Sequence, residues 1–397
     1  MVRRRRREAS RHNSPSRLAT SPSEAVVVPN VAVLGASGYT GRLVVAECRR
    51  QGIEPRLLGR DAGRIRRQLG DDGTRYDDLD IVEVDVTDRS GLEAALADID
   101  LLLTTVGPFV ELGGGVLDAA IATGTHYVDS TGEQPFIRWA VTERDTAARD
   151  AGVIAVPAAG FDFLPGDLLA AVAAGAVGWP EEVHVAYTVP SSGGLLGNAS
   201  LGTRRTVAGL LGHPGVALVR GELVEELPGE ARRLAWFPRP VGPRHAAGIP
   251  GGEPVTVPRH VDGVRTVRTY LALSSWKAEL AQMGANLARF GPVRRAVTGW
   301  LVRGPEGPSP ERRQLTRWGC VAEAEARGDV ARAWAYGHDI YGFTAVAMVA
   351  VGQTILEQAP TSGVRSPAML TSPDELLDRL ADRSDLRWSV TRPEPHR

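Results

Sequence analysis

Val31-Ala32-Val33-Leu34-Gly35-Ala36-Ser37-Gly38-Tyr39-Thr40-Gly41, VAVLGASGYTG, is the stretch from which the rest of the fold follows. Val31 to Leu34 is a short β-branched and apolar run, the pattern of a strand buried on both faces of a parallel sheet. Glycines then recur at 35, 38 and 41. A turn out of such a strand needs a residue without Cβ, a phosphate reaches the backbone only where no side chain intervenes, and the last glycine lets the next helix pack on the sheet. Tyr39 onward, YTGRLVVAECRRQG, has Leu43, Val44, Ala46 and Glu47 at helical spacing and stops at Gly52, so the free N–H groups of its first turn can face an anion. Strand, glycine turn and helix in that order predict a dinucleotide-binding unit.

A second strand, Arg56 to Leu58, follows the helix and runs into Gly59-Arg60-Asp61. An acidic residue at that strand end binds the ribose 2′-hydroxyl of NAD, whereas the planar fork of Arg60 pairs with a 2′-phosphate. Arg60 therefore points to NADP(H). Asp61 either serves a ribose or caps the next helix, Ala62 to Leu69.

Working outward, Ile81 to Asp85 reads as a third strand, followed by the capped helix VTDRSGLEAALAD. Asp85 at its carboxyl edge is a candidate adenine contact and equally a turn residue on the way into the helix. Leu101 to Thr105 is a fourth strand ending in Val106-Gly107-Pro108-Phe109, a small rigid turn placed beside the pyrophosphate or nicotinamide, because ligands bind outside the carboxyl ends of parallel strands. Gly113 to Thr123 is helical, His126 to Asp129 a fifth strand, Pro135 to Asp150 helical again, and Val153 to Val156 a sixth strand leading into PAAGFDFLPGD, residues 157 to 167. Strands alternating with helices give an α/β fold with a doubly wound parallel sheet and right-handed crossovers.

Past about residue 175 the pattern changes. Glu182 to Val189, Gly215 to Glu226 and Val264 to Ser275 read as strands, and Gln314 to Arg327 and Val330 to His338 as a hairpin turning at Gly328-Asp329. Helices are expected at Leu201 to Leu211 and Lys277 to Val302, and the proline- and glycine-rich residues 238 to 258 as a flap or mobile connection. Tyr341 to Glu357 is apolar nearly all round and predicts a buried helix packed back on the first domain. A short capped helix, Ser372 to Leu380, and a last strand, Leu386 to Val390, end the pattern. The expected domains are a disordered basic tail (1–28), a dinucleotide-binding domain (29–175), a second α+β domain on a mixed or antiparallel sheet (176–340) and a C-terminal helical segment (341–397).

Composition bounds the function. The chain has 397 residues, 43% of them hydrophobic, enough for a large core. Its net charge of −1 implies no general attraction to nucleic acid. Two cysteines, Cys48 and Cys320, exclude a disulfide framework and suggest a reducing cytoplasm. The eight histidines show no paired ligand spacing, so no metal site is expected. MVRRRRREASRHNSPSRLATSPSEA lacks the apolar stretch of a secretory signal, and Phe343 to Leu356, at 14 residues, is too short to span a bilayer. The apolar C-terminal helix and the antiparallel sheet are each a candidate dimer face.

GASGYTGR, the Gly59-Arg60 turn, TTVGPF, GTHYVDSTGE and AAGFDFLPGD, in that order, resemble the saccharopine dehydrogenase-like reductases, nearest to the trans-acting enoyl reductase branch of actinobacterial lipid and polyketide pathways. GHDIYGFTA and GVRSPAML are similar to the end of that family. The resemblance is strongest in the first 170 residues and weak between about 190 and 310. It implies a Rossmann domain for NADP, a second domain with a mixed sheet, and hydride transfer to a small-molecule or acyl-type substrate. Carried over by motif, Gly35, Ala36, Ser37, Gly38, Tyr39, Thr40 and Gly41 would hold the pyrophosphate, Arg60 the 2′-phosphate, and Val106, Gly107, Pro108 and Phe109 the nicotinamide side.

Reduction of a conjugated C=C bond needs a hydrogen-bond donor for the developing enolate and a proton for the α-carbon. Asp162 and Tyr341 are the leading candidates, with Tyr127, Asp129, Thr131 and Glu133 behind them. A short-chain dehydrogenase needs Tyr-x-x-x-Lys, and the single lysine, Lys277, has Leu273 four residues before it. Reduction of an imine between an amino acid and a keto acid would need paired arginines, for which Arg204-Arg205 are the obvious pair. A non-catalytic NADP(H)-binding sensor would keep the glycine loop and dispense with the donors.

Overall fold

The computed structural model describes residues 29–70, 80–189, 199–210, 213–272, 299, 303 and 305–392. The basic tail, Lys277 and nearly all of the helix expected around it lie outside these residues. Six strands and seven helices alternate as the glycine turn predicted: β1 (Val31–Leu34), α1 (Tyr39–Arg50), β2 (Arg56–Gly59), α2 (Ala62–Gly70), β3 (Ile81–Glu83), α3 (Arg89–Leu96), β4 (Leu101–Thr104), α4 (Phe109–Thr123), β5 (His126–Asp129), α5 (Gln134–Trp139), α6 (Asp145–Asp150), β6 (Ile154–Val156) and α7 (Leu164–Val177). A π turn, Ala140–Arg144, links α5 to α6. β1 and β4 are buried at every position, which is why they read as unbroken apolar runs. β3 stops two residues short of Asp85. Asp85 instead accepts hydrogen bonds from the Thr87 amide at 2.9 Å and hydroxyl at 2.7 Å, a side-chain turn that competes with the strand ladder.

The second half comprises β7 (Glu182–Thr188), α8 (Leu201–Leu210), β8 (Gly215–Val219), β9 (Glu222–Glu226), β10 (Arg232–Trp236), β11 (Pro243–Ile249), α9 (Glu253–Thr256), β12 (Thr266–Ala272), α10 (Pro310–Leu315), β13 (Arg317–Ala326) and β14 (Asp329–His338). The C-terminal part follows with α11 (Ile340–Gln358), β15 (Gly363–Val364), α12 (Pro373–Arg383) and β16 (Arg387–Thr391). The first sheet runs β15-β6-β5-β4-β1-β2-β3 with every pairing parallel, and the second runs β10-β11-β12-β7-β13-β14-β16 with β8 and β9 branching from β12. In the second sheet β7 and β12 pair in parallel and their other neighbours antiparallel, so this sheet is mixed.

Several expectations are corrected here. Residues 238–258 are no loose flap: β11 hydrogen-bonds between β10 and β12, and α9 follows it. Proline and glycine were misleading because β11 opens on Pro243 at an exposed end and buries only the small residues Ala246, Ala247 and Gly248. Gly215 to Glu226 is a two-strand hairpin, not one strand. The β13–β14 hairpin turns at Arg327-Gly328, both at positive φ (51° and 91°), because Ala326 pairs with Asp329. The buried C-terminal helix has 19 residues, long enough to cross a bilayer, so the shorter estimate of its length was wrong. It packs instead between α1 and the β4–β5 part of the first sheet, where its apolar circumference is covered. α7 leaves the first sheet and covers one face of the second, and one core runs through both sheets.

Candidate functional site

The glycine turn sits at the carboxyl end of β1. Gly35 has φ +85°, and its own Cβ would lie 2.8 Å from the Val106 side chain. A Cβ on Gly41 would lie 2.1 Å from the Gly35 carbonyl oxygen, backbone against backbone. No side chain caps α1, whose N-cap is Gly38, and no acidic residue stands in its first turn. This bare, cationic helix end is a cradle that any side chain would fill, and it fits the pyrophosphate of a dinucleotide. Ala36 is buried under the turn, Ser37 and Gly38 are half-buried, and Thr40 faces the cleft. Tyr39 differs from the expectation for a phosphate contact: its hydroxyl donates to the Pro308 carbonyl at 2.7 Å and its ring stands edge-on to Tyr341, centroids 5.0 Å apart.

Arg60 is exposed at the end of β2. Asp61 caps α2, its Oδ1 accepting from the Arg64 amide at 2.7 Å. Asp85 is held below the usual carboxylate range first by the Thr87 amide, then by the Thr87 hydroxyl, and more weakly by the Arg60 charge, so the turn role of Asp85 is the one the structure displays.

The Val106–Phe109 turn is fixed from below. Glu133, buried, accepts from the amides of Phe109 at 3.0 Å and Val110 at 2.8 Å and from the Thr206 hydroxyl at 2.8 Å. The buried carboxylate thus caps α4 and ties the turn to α8. Pro108 is the N-cap residue of α4, and Gly107 and Phe109 reach the cleft.

Beside this turn lies a cleft of about 130 Å³. Ser130, Gly132, Gly160, Phe161 and Asp162 wall it at the ends of β5 and β6; Ala199, Ser200, Gly202, Thr203 and Thr206, with Ile340, Tyr341 and Thr344, complete the wall. Asp162 and Tyr341, remote in sequence, therefore meet in one space with Thr40 and Gly107. Asp162 is exposed at the cleft, and desolvation by the protein crowded around it pushes its carboxyl up to about 6. Among the described residues it has no hydrogen-bond partner. The Tyr341 hydroxyl accepts from the Ser200 amide at 2.5 Å and shares a hydrogen bond with Thr203 Oγ1 at 3.2 Å in which either oxygen can donate.

The remaining acid and donor candidates are already engaged. Asp129, buried, accepts from the Tyr127 hydroxyl at 2.6 Å and from the amides of Thr131 and Ala158, both at 2.8 Å. Burial lifts it to about 6 in spite of these donors. Thr131 is buried and accepts from the Glu133 amide at 3.0 Å. These residues brace the floor and do not line the cleft. Arg204 is not solvated: it is buried, donating to the carbonyls of Ala199 and Pro305, while Arg205 is exposed; neither lines the cleft.

Sequence reasoning missed the hydroxyl wall of Thr105, Ser130, Thr203, Thr206 and Thr344, which come from four segments far apart in the chain. It also missed a buried hub behind the cleft. Glu253 accepts from Tyr187 and Thr269, each at 2.7 Å, and burial raises it to about 7. Asp167 accepts from Thr256 and His260, each at 3.0 Å, and from the Ala368 amide at 2.9 Å. The His260 and Ala368 contacts lower it despite burial.

Comparison with known proteins agrees with this geometry. Residues 31–156 match the saccharopine dehydrogenase NADP binding domain, so the resemblance read from the motifs is borne out over that span. The trans-acting enoyl reductase of Mycobacterium tuberculosis is 33% identical over 141 residues, 35% of this chain and 34% of that protein. The corresponding protein of Mycobacterium leprae is 32% identical over 141 residues with the same coverage. The chain thus spans about a third of the length of the curated relatives it matches. Saccharopine dehydrogenase (L-Glu forming) from Saccharomyces cerevisiae, in its apo form, aligns over 92% of this chain and 100% of its own at a TM-score of 0.56 and 15% identity, which shows a shared fold.

Proposed function

We propose that this chain, whose residues 31–156 are a saccharopine dehydrogenase NADP binding domain with NADP(H) as its cofactor, reduces the C=C bond of an enoyl acceptor in a lipid, polyketide or related intermediate. The observation that carries this is the makeup of the cleft: hydroxyls, apolar side chains and one carboxyl, Asp162, with no basic residue among the described lining. Such a wall suits an uncharged conjugated carbonyl and disfavours the carboxylates of an amino acid–keto acid imine. The trans-acting enoyl reductases among the relatives support the same choice.

When bound, NADPH supplies a hydride to an electron-poor carbon. Arg60 and the glycine turn hold the phosphates, and the turn Val106–Phe109, anchored by Glu133, shapes the nicotinamide side. Tyr341, whose oxygen accepts from Ser200, turns its hydroxyl proton from Thr203 toward the acceptor's carbonyl oxygen as charge develops there. Asp162, raised to about 6, gives its proton to the α-carbon and is reprotonated from solvent through the open cleft.

The test is NADPH consumption with an α,β-unsaturated acyl thioester against an amino acid–keto acid imine. Saturated thioester as product is the expected result. Consumption with the imine alone overturns the choice of bond, and cofactor binding without turnover on either class leaves a sensor.

A further inference from the structure

Three arginines stand around the carboxyl ends of β1 and β2, where the adenosine half of a dinucleotide lies. Arg60 ends β2, Arg64 sits in the first turn of α2, and Arg42 lies near the start of α1. Two of them share one carboxylate that comes from the other half of the chain: Glu306 lies 2.7 Å from Arg64 and 3.7 Å from Arg42. Glu306 belongs to a strap, residues 305–308, laid across the glycine turn. The strap is pinned by Tyr39 donating to Pro308, by Arg204 donating to Pro305, and by the Leu201 amide donating to the Glu306 carbonyl at 2.8 Å. Gly307 lies flat on the Tyr39 ring, where a Cβ would come within 2.5 Å.

A surface ion pair alone would mean little. Here the carboxylate is held by a backbone fixed at three points, and its partners sit in the first turns of the two helices that follow β1 and β2, Arg64 four residues after Arg60. Carboxylate and phosphate present the same oxyanion to a guanidinium fork. We propose that Glu306 is an internal counterpart of the cofactor's 2′-phosphate, holding Arg64 and Arg42 until NADPH takes them over. This rests on the NADP(H) assignment and adds to it a coupling: a phosphate displaces Glu306 from its arginines, so NADPH loosens the strap that roofs the turn, whereas NADH leaves the carboxylate in place.

The experiment is fluorescence titration of NADPH and NADH into the full chain and into Glu306→Gln, Glu306→Ala and Arg64→Ala. Removing the competing charge at a half-exposed pair is expected to tighten NADPH about three- to fivefold in both Glu306 variants and to leave NADH unchanged. In Arg64→Ala NADPH weakens, and adding Glu306→Gln to it gives a smaller gain than in the wild type. Unchanged or weaker NADPH binding in both Glu306 variants, or an equal gain for NADH, overturns the proposal while leaving the cofactor assignment standing. A wild-type chain that binds neither cofactor overturns both.

Discussion

The two sides of the cleft carry their chemistry in different ways. On the cofactor side eleven consecutive residues, Val31 to Gly41, form a strand end, a turn and a helix start, and the binding surface is backbone held bare of side chains. On the side proposed for the acceptor the polar groups arrive from three distant segments: Asp162 from the turn before α7, Thr203 and Thr206 from α8, Tyr341 and Thr344 from α11. A backbone surface tolerates no added atom. A side-chain surface tolerates exchange as long as its few reacting groups remain, and that is where a reductase can change its acceptor while keeping its cofactor.

If the division is right, Asp162→Asn should lower turnover by about 10²- to 10⁴-fold with NADPH affinity unchanged. Because the protonated acid is the working form and its carboxyl is raised to about 6, wild-type turnover should fall as pH rises above about 6, and the variant should lose that dependence. A parallel loss of cofactor affinity would show that the two sides are not separable.

Gly41→Ala is the converse break. Its Cβ would lie 2.1 Å from a backbone oxygen that has nowhere to go. The expected cost is about 3 kcal/mol or more, seen as a lowered melting temperature together with lost NADPH binding. Arg60→Ala sharpens the cofactor side alone: loss of charged hydrogen bonds to a phosphate should weaken NADPH by about 10- to 100-fold and leave NADH alone.

The smallest effect concerns the hub behind the acceptor side. Tyr187 has one proton, lies 3.1 Å from the Phe163 carbonyl and 2.7 Å from Glu253, and accepts from the Gly166 amide. Tyr187 gives its proton to Glu253, which also accepts from Thr269, yet burial outweighs both donors and favours the neutral carboxyl. Its folded pKa of about 7 lies above the ordinary carboxyl value, so the stability it contributes is complete at acid pH and is lost as pH rises through about 7. The chain should lose at most about 1.4 kcal/mol per pH unit between about pH 4.5 and pH 7 and level off above that, and Glu253→Gln should flatten that slope in denaturant melts. Asp129, also raised, titrates with the same sign nearer pH 6.

Local patterning determined the parallel sheet, the glycine turn and the burial of the last long helix, and it placed Arg60 at the strand end where a 2′-phosphate would be read. Each rests on neighbours along the chain: β-branched runs, glycine spacing, an arginine at a strand end. Asp162 and Tyr341 could be named from the donors that the chemistry requires, but their meeting in one cleft depends on α11 returning to lie against α1. Only the tertiary structure decided that Asp129 and Glu133 are braces, that Arg204 is buried against carbonyls, that residues 243–249 are a strand, and that Glu306 reaches Arg64. Those outcomes depend on which segments, far apart in sequence, share a low-dielectric space. A carboxylate's role follows from the donors it meets there, and no periodicity along the chain encodes them.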